Sequence, residues 1–155
     1  MQSSSLSIPH YEQEKDYSCV AACMRMVLEY YGITEPEDEI CRLLGTKTTG
    51  TRVVNVARAV PWWDLNLELG EFDFQQLNTF ITSQVAPIIF LETGPLDYWN
   101  GQNEQHAVVL TGIDAKALTV EINDPFLTGP QQTSVDKFKA AWLPTGNLAA
   151  ALRQR

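Results

Sequence analysis

IPHYEQEKDYSCVAACMRMVLEYYG, running from Ile8 to Gly32, changes character at Cys19. Ahead of the cysteine stand a proline and mostly polar residues. Behind it Ala22, Met26 and Tyr30 recur four apart, with Cys19, Cys23 and Val27 beside them, as the inward face of an amphipathic helix requires. Gly32 supplies the stop. Asp16 or Ser18 can accept from the free amides of the first turn, so Cys19 is placed in or next to that turn, where the helix dipole favours an anion.

Outward from this segment, Glu37–Leu44 follows Pro36 and ends at Gly45, the pattern of a short second helix. Thr51–Val60 reads as a third, closed by Pro61. After an alternating strand through Leu65, Leu67 and Leu69, Asp73 caps a fourth helix that reaches Gln84 and uses Phe74, Leu77, Phe80 and Ile81. Then the chain changes to short β-branched runs, Pro87–Glu92, Gln105–Gly112 and Leu118–Ile122, separated by Gly, Asn, Asp and Pro. A last helix starts near Ser134 and presents Val135, Phe138 and Trp142. Helices first and strands later predict an α+β fold, helices on one side of an antiparallel sheet, with residues 1–155 forming a single domain.

Composition narrows the function. Eleven Lys and Arg against nineteen Asp and Glu give a net charge of −8, and the basic residues are scattered singly, so no stripe exists to neutralise phosphates and nucleic acid is excluded as a partner. The apolar run Val85–Leu91 is broken by Pro87 and is far shorter than the roughly 20 residues that span a bilayer. The opening residues lack a basic region followed by an apolar one, so the expected location is the cytoplasm. Three cysteines, an odd number in a domain large enough to need no disulfides, read as reduced thiols.

A thiol attacks carbonyl carbon as thiolate, helped by the positive end of a helix and by an imidazole that takes its proton. Cys19 has the first condition. Of the two histidines, His10 precedes the helix in an extended segment, whereas His106 opens the apolar run AVVLTG and is thereby a base carried on a strand. Such a base needs a partner on its other nitrogen to set ring and tautomer. Asp124, at the end of the strand LTVEI and before Pro125, is the best-placed candidate, while Asn123 points to the opposite face. Gln13, shortly before Cys19, and the Cys19 N–H can supply donors to an oxyanion.

These residues resemble the bacterial papain-like peptidases that remove double-glycine leader peptides from bacteriocins, stand-alone type. A proline-containing lead-in, a glutamine, and a cysteine opening a helix that ends in Tyr-Tyr-Gly are matched by residues 8 to 32; HAVVLTGID resembles the family's histidine strand, and VEINDPFLTG its Asp-Pro strand end. The resemblance implies a papain-like fold and a cysteine peptidase with Cys19 as nucleophile, His106 as base and acid, Asp124 as orienting carboxylate and Gln13 as oxyanion residue. It implies a peptide or protein substrate and a separate exporter or target protein as partner, with no cofactor and no metal. Val20 stands where the family has a small residue, and Ser18 where it often has Asp.

Other readings share these residues. The same apparatus serves glutamine deamidation or acyl transfer, since all proceed through a thioester, and a peptide-binding module of the same fold that has lost activity is the rival from another class. Cys23 and Cys41 fall on apolar helix faces and read as packing. A zinc site from Cys19, Cys23 and His106 lacks a fourth soft ligand. Trp62 and Trp63 are expected in the core; Tyr98 and Trp99 are open between core and groove.

Overall fold

In the computed structural model, which describes residues 3–155, the periodicity after Cys19 is realised as helix α1 (Cys19–Tyr30). Gly32, at φ 78°, closes it, and the N–H groups of Gly32 and Ile33 return to the carbonyls of Glu29 and Leu28. Helix α2 (Glu37–Leu44) has the expected bounds. The third helix is shorter than its periodicity predicts: α3 spans Val53–Ala59, and the chain then tightens into a 3-10 turn, Val60–Trp63, which accommodates Pro61 in its first turn. That turn separates the tryptophans. Trp63 is buried and donates through Nε1 to Glu35 Oε1 at 3.1 Å, whereas Trp62 is exposed, so only one of the pair reaches the core.

Strand β2 (Leu65–Glu71) leads to α4 (Phe74–Thr82), which starts with reciprocal bonds between Asp73 and Gln76, a capping box. Strands β3 (Ile88–Glu92), β4 (Gln105–Asp114) and β5 (Thr119–Asn123) follow the β-branched runs, and α5 (Val135–Trp142) begins at Ser134, whose hydroxyl accepts from the Lys137 N–H. All strand pairs are antiparallel.

Three strands lie outside the sequence-based set: β1 (Ser4–Ser5), β6 (Gln131–Ser134) and β7 (Leu148–Gln154). The sheet order is β2-β7-β3-β4-β5-β6, with β1 pairing to β4 at Gly112 and Ile113, beyond the reach of β3 and beside a bulge between Leu110 and Gly112. The sequence of β7, LAAALRQ, contains good helix formers and no β-branched residue. Burial decides its conformation instead, because Ala149, Ala150 and Ala151 are wholly covered between packed layers.

Side chains of the central strands alternate between two cores. Ile88, Phe90, Ala107, Val109, Ala150 and Leu152 pack with α1, α2 and α3. Ile89, Leu91, Val108, Leu110, Ala149 and Ala151 pack with α4 and α5. The expectation of helices on one side of the sheet is therefore corrected: both faces are covered, which is why β3 and β4 are continuous apolar runs rather than alternating ones. Among the described residues, no helix is long and apolar enough to cross a membrane.

Candidate active site

Cys19 is the first residue of α1 and is partly exposed, while Cys23, one turn on, is fully buried. Neither Asp16 nor Ser18 caps the helix: Ser18 occupies the N-cap position, but its hydroxyl is 2.9 Å from Glu37 Oε2 and 3.0 Å from both the N–H and the carbonyl of Lys15. The expected cap is absent because the Ser18 oxygen accepts from the Lys15 N–H instead, with its proton available to Glu37 Oε2 or the Lys15 carbonyl. Left without a side-chain cap, the first-turn N–H groups keep their positive potential for an anion at Cys19.

His106, the second residue of β4, is 8% exposed. Its Nε2 lies 2.7 Å from Asp124 Oδ1, so this nitrogen carries the proton donated to the carboxylate and Nδ1 is the one available to Cys19. Burial alone lowers the imidazole pKa, but hydrogen bonding and charge from Asp124 and Cys19 outweigh it and push the value up to about 9.

Asp124 is wholly buried just past β5. Three donors converge on it: His106 Nε2 and the Phe126 N–H at 2.9 Å on Oδ1, and Trp99 Nε1 at 2.9 Å on Oδ2. Burial works to raise its pKa, and these donors, His106 foremost, more than reverse the effect and lower it. Asn123 points the other way, as the strand alternation requires, and donates to the Ile8 carbonyl at 3.0 Å.

Gln13 is brought to the same place by its own backbone, whose N–H donates to the Pro125 carbonyl at 2.7 Å. Its side-chain Nε2 donates to the carbonyls of Lys15 at 2.8 Å and Asp16 at 3.2 Å, and its Oε1 is buried without a partner. The other histidine, His10, stands apart from the imidazole–carboxylate pair, with Nε2 2.6 Å from the Leu127 carbonyl.

Cys19 and His106 line two adjoining parts of a cleft. One, of about 420 Å³, is bounded by Gln13, Tyr17, Trp99 and Phe126. The other, of about 380 Å³, is more apolar and is bounded by Val20, Val53, Phe90 and Leu148. Thr49 and Gly50 border both parts, in a turn held by two backbone bonds between Lys47 and Gly50 and a 2.7 Å contact between the hydroxyls of Thr46 and Thr51.

Trp99 is one of two residues, with Tyr98, that sequence reasoning left open between core and groove. It is 5% exposed, sits edge-on to the His106 ring at 5.1 Å and stacks on Phe126 at 4.8 Å, so it shields the imidazole–carboxylate pair from water. A buried indole N–H needs an acceptor, which is the one signal in the sequence for this contact. Trp99→Phe removes a hydrogen bond to a charged group and is expected to lower stability by about 1.5–3 kcal/mol, measured by urea unfolding. An unchanged unfolding midpoint would show that the indole N–H contributes nothing to holding Asp124.

Residues 5–150 match the Peptidase_C39 like family. The sequence has no significant match among curated proteins. Among solved structures, a double glycine motif protease from an AMS/PCAT transporter, solved in complex with the leader peptide, superposes with a TM-score of 0.78 at 20% identity, covering 100% of this chain and 99% of that one. The peptidase domain of Streptococcus ComA, a bi-functional ABC transporter involved in a quorum sensing pathway, gives 0.79 at 19% identity, covering 96% and 100%. A chain from Bacillus anthracis described as a C39-like peptidase gives 0.78 at 19%, covering 100% and 99%. Such identities speak for the fold alone. Joined to a family match over nearly all of its length, they show that the chain belongs to the Peptidase_C39 like family and has the papain-like fold of the double-glycine leader peptidases.

Proposed function

We propose that this protein is a cysteine peptidase that cleaves a peptide bond with Cys19 as nucleophile, His106 as base and acid, and Asp124 as the carboxylate that orients the imidazole. The observation that carries the reading is the 2.7 Å bond from His106 Nε2 to Asp124, which leaves Nδ1 for the thiol at the head of α1.

With its pKa pushed up to about 9, His106 already holds the Cys19 proton on Nδ1 at neutral pH, and in the reaction the thiolate sulfur adds to the scissile carbonyl carbon. The oxyanion so formed is met by the Cys19 N–H and by Gln13 Nε2, which exchanges its longer bond to the Asp16 carbonyl for one to the oxyanion. Collapse breaks the C–N bond, His106 returns its proton to the departing amine, and an acyl thioester remains on Cys19. Water then enters, gives a proton to His106 and adds to the thioester. The second tetrahedral intermediate expels the thiol and releases the acid.

For the substrate we carry over the double-glycine motif from the solved relatives. The Thr49–Gly50 turn over the thiol favours residues without side chains before the cut, and a separate exporter is the partner that this reading implies. The three cysteines are free, which suits a reducing compartment such as the cytoplasm. Peptides ending the acyl side in Gly-Gly and in Leu-Leu test this directly, and kcat/KM is expected to favour Gly-Gly by on the order of 100-fold. Equal cleavage rejects the specificity. Ammonia release from glutamine peptides with no chain cleavage replaces hydrolysis by deamidation on the same thioester.

A further inference from the structure

Glu37 opens α2, is 1% exposed, and takes no part in the steps above. Its Oε2 accepts from the Glu14 N–H at 2.7 Å and lies 2.9 Å from the Ser18 hydroxyl, while Oε1 is buried with no partner. Burial raises its pKa, and the bonds from Glu14 and Ser18 oppose the rise. A desolvated carboxylate satisfied on one oxygen is a costly way to fill a core position, since an apolar side chain does so without stripping water from a charge. Both of its bonds go to one place, the loop between Gln13 and Cys19. From Ser18 the connection continues: its Oγ accepts from the Lys15 N–H at 3.0 Å, and the Lys15 carbonyl accepts from Gln13 Nε2 at 2.8 Å. A continuous line of hydrogen bonds thus runs from α2 to the Gln13 carboxamide.

We infer that Glu37 is a positioning residue for the oxyanion site, holding the turn from Glu14 to Ser18 so that the Gln13 carboxamide and the Cys19 N–H converge on one point. The inference rests on the cysteine peptidase reading. It separates two functions of one site: His106 and Asp124 govern the proton on sulfur, whereas Glu37 governs the donors that meet the oxygen. Chemistry distinguishes these. Alkylation of Cys19 by iodoacetamide is a displacement at saturated carbon and forms no oxyanion; addition of the thiol to an aldehyde forms a tetrahedral hemithioacetal, whose oxygen sits where the oxyanion does.

The experiment compares wild type, Glu37→Ala, Glu37→Gln and Ser18→Ala with three probes: a fluorogenic Gly-Gly peptide, acetyl-Gly-Gly aldehyde and iodoacetamide. Removing an oxyanion donor outright costs two to three orders of magnitude, so loosening one through its support is expected to lower kcat about 10- to 100-fold in Glu37→Ala. KM stays unchanged, because the interaction is made only in the transition state. Aldehyde affinity falls by the same factor and the alkylation rate does not move. Glu37→Gln keeps an oxygen acceptor for both donors and restores most of the loss. Ser18→Ala breaks the line at its middle link while leaving the Glu37 bond to the Glu14 N–H, and shows a loss with the same signature, which decides the matter if Glu37→Ala does not fold. Alkylation that falls in step with kcat, a kcat that does not change, or a glutamine variant no better than alanine overturns the inference. A wild-type chain that neither hydrolyses the peptide nor binds the aldehyde defeats the peptidase reading itself, and this one with it.

Discussion

His106→Ala is expected to lower kcat by on the order of 10⁴-fold, the upper range for a positioned general base and acid. It also brings iodoacetamide labelling of Cys19 at neutral pH down to the rate of an ordinary thiol. The two effects share one cause. Cys19 stands at the helix N-terminus beside the imidazole, and in the proposed mechanism only the imidazole both takes the thiol proton and delivers it to the departing amine. Mass mapping of the adduct after timed exposure gives the result. Labelling at Cys19 that is no faster than at Cys41 in wild type, or that is indifferent to the substitution, would sink the nucleophile assignment.

Asp124 carries the second large effect. Three donors point at it, from His106, Phe126 and Trp99, and it has no donor of its own when ionised. Asp124→Ala strands all three in a buried place and is expected to cost about 3–5 kcal/mol of stability. Asp124→Asn is more informative. Its single oxygen can serve His106 and Phe126, but its amide NH₂ then faces the Trp99 N–H, donor against donor, for a cost of about 1–3 kcal/mol.

The pH dependence follows from the same pair. His106 has its pKa raised to about 9 in the folded chain, so its stabilisation is complete below its ordinary value of about 6.5 and is lost as pH rises through about 9. Asp124 has its pKa lowered, so its stabilisation is present above the ordinary carboxylate range and is lost as pH falls through the folded value. The acid function of His106 fades with the same proton, which places the alkaline limb of kcat/KM near 9. In Asp124→Asn the carboxylate charge is gone, the imidazole gives up its proton more easily, and that limb moves to lower pH. A limb that stays in place would mean that Asp124 does not hold the His106 proton.

The residues that the structure gathers around the cleft differ in how visible they are from sequence. Cys19, His106 and Asp124 each sit at the boundary of an element, where periodicity or a Pro or Gly marks the end, so their positions relative to a helix or strand can be read locally. Gln13 is legible as a position, but the turn of its carboxamide onto Lys15 and Asp16 depends on a loop whose anchor, Glu37, lies in another helix. Trp99 lies in the connection between β3 and β4, and its partner Asp124 is brought to it only by the β4–β5 pairing. The missing strand β7 has the opposite difficulty: its local preference is helical, and only the layers on both sides of it make it a strand. The one-sided sheet fails for a related reason, since a continuous apolar run does not say how many faces are covered.

That seventh strand has a consequence for how the molecule comes into being. Among the described residues Leu148–Gln154 is the last strand in chain order, yet it takes a place in the interior of the sheet, between β2 and β3. While it is still unmade, β2 and β3 present raw edges, and Ala150 and Leu152 are missing from the layer beneath α1. Contacts between such distant parts of a chain form late, after the entropy of closing the intervening loop has been met. In chain order Cys19 precedes His106, Asp124 and β7, so its surroundings are complete only once β7 has joined the sheet. Closing the sheet and completing the surroundings of the cysteine are therefore one late event of folding.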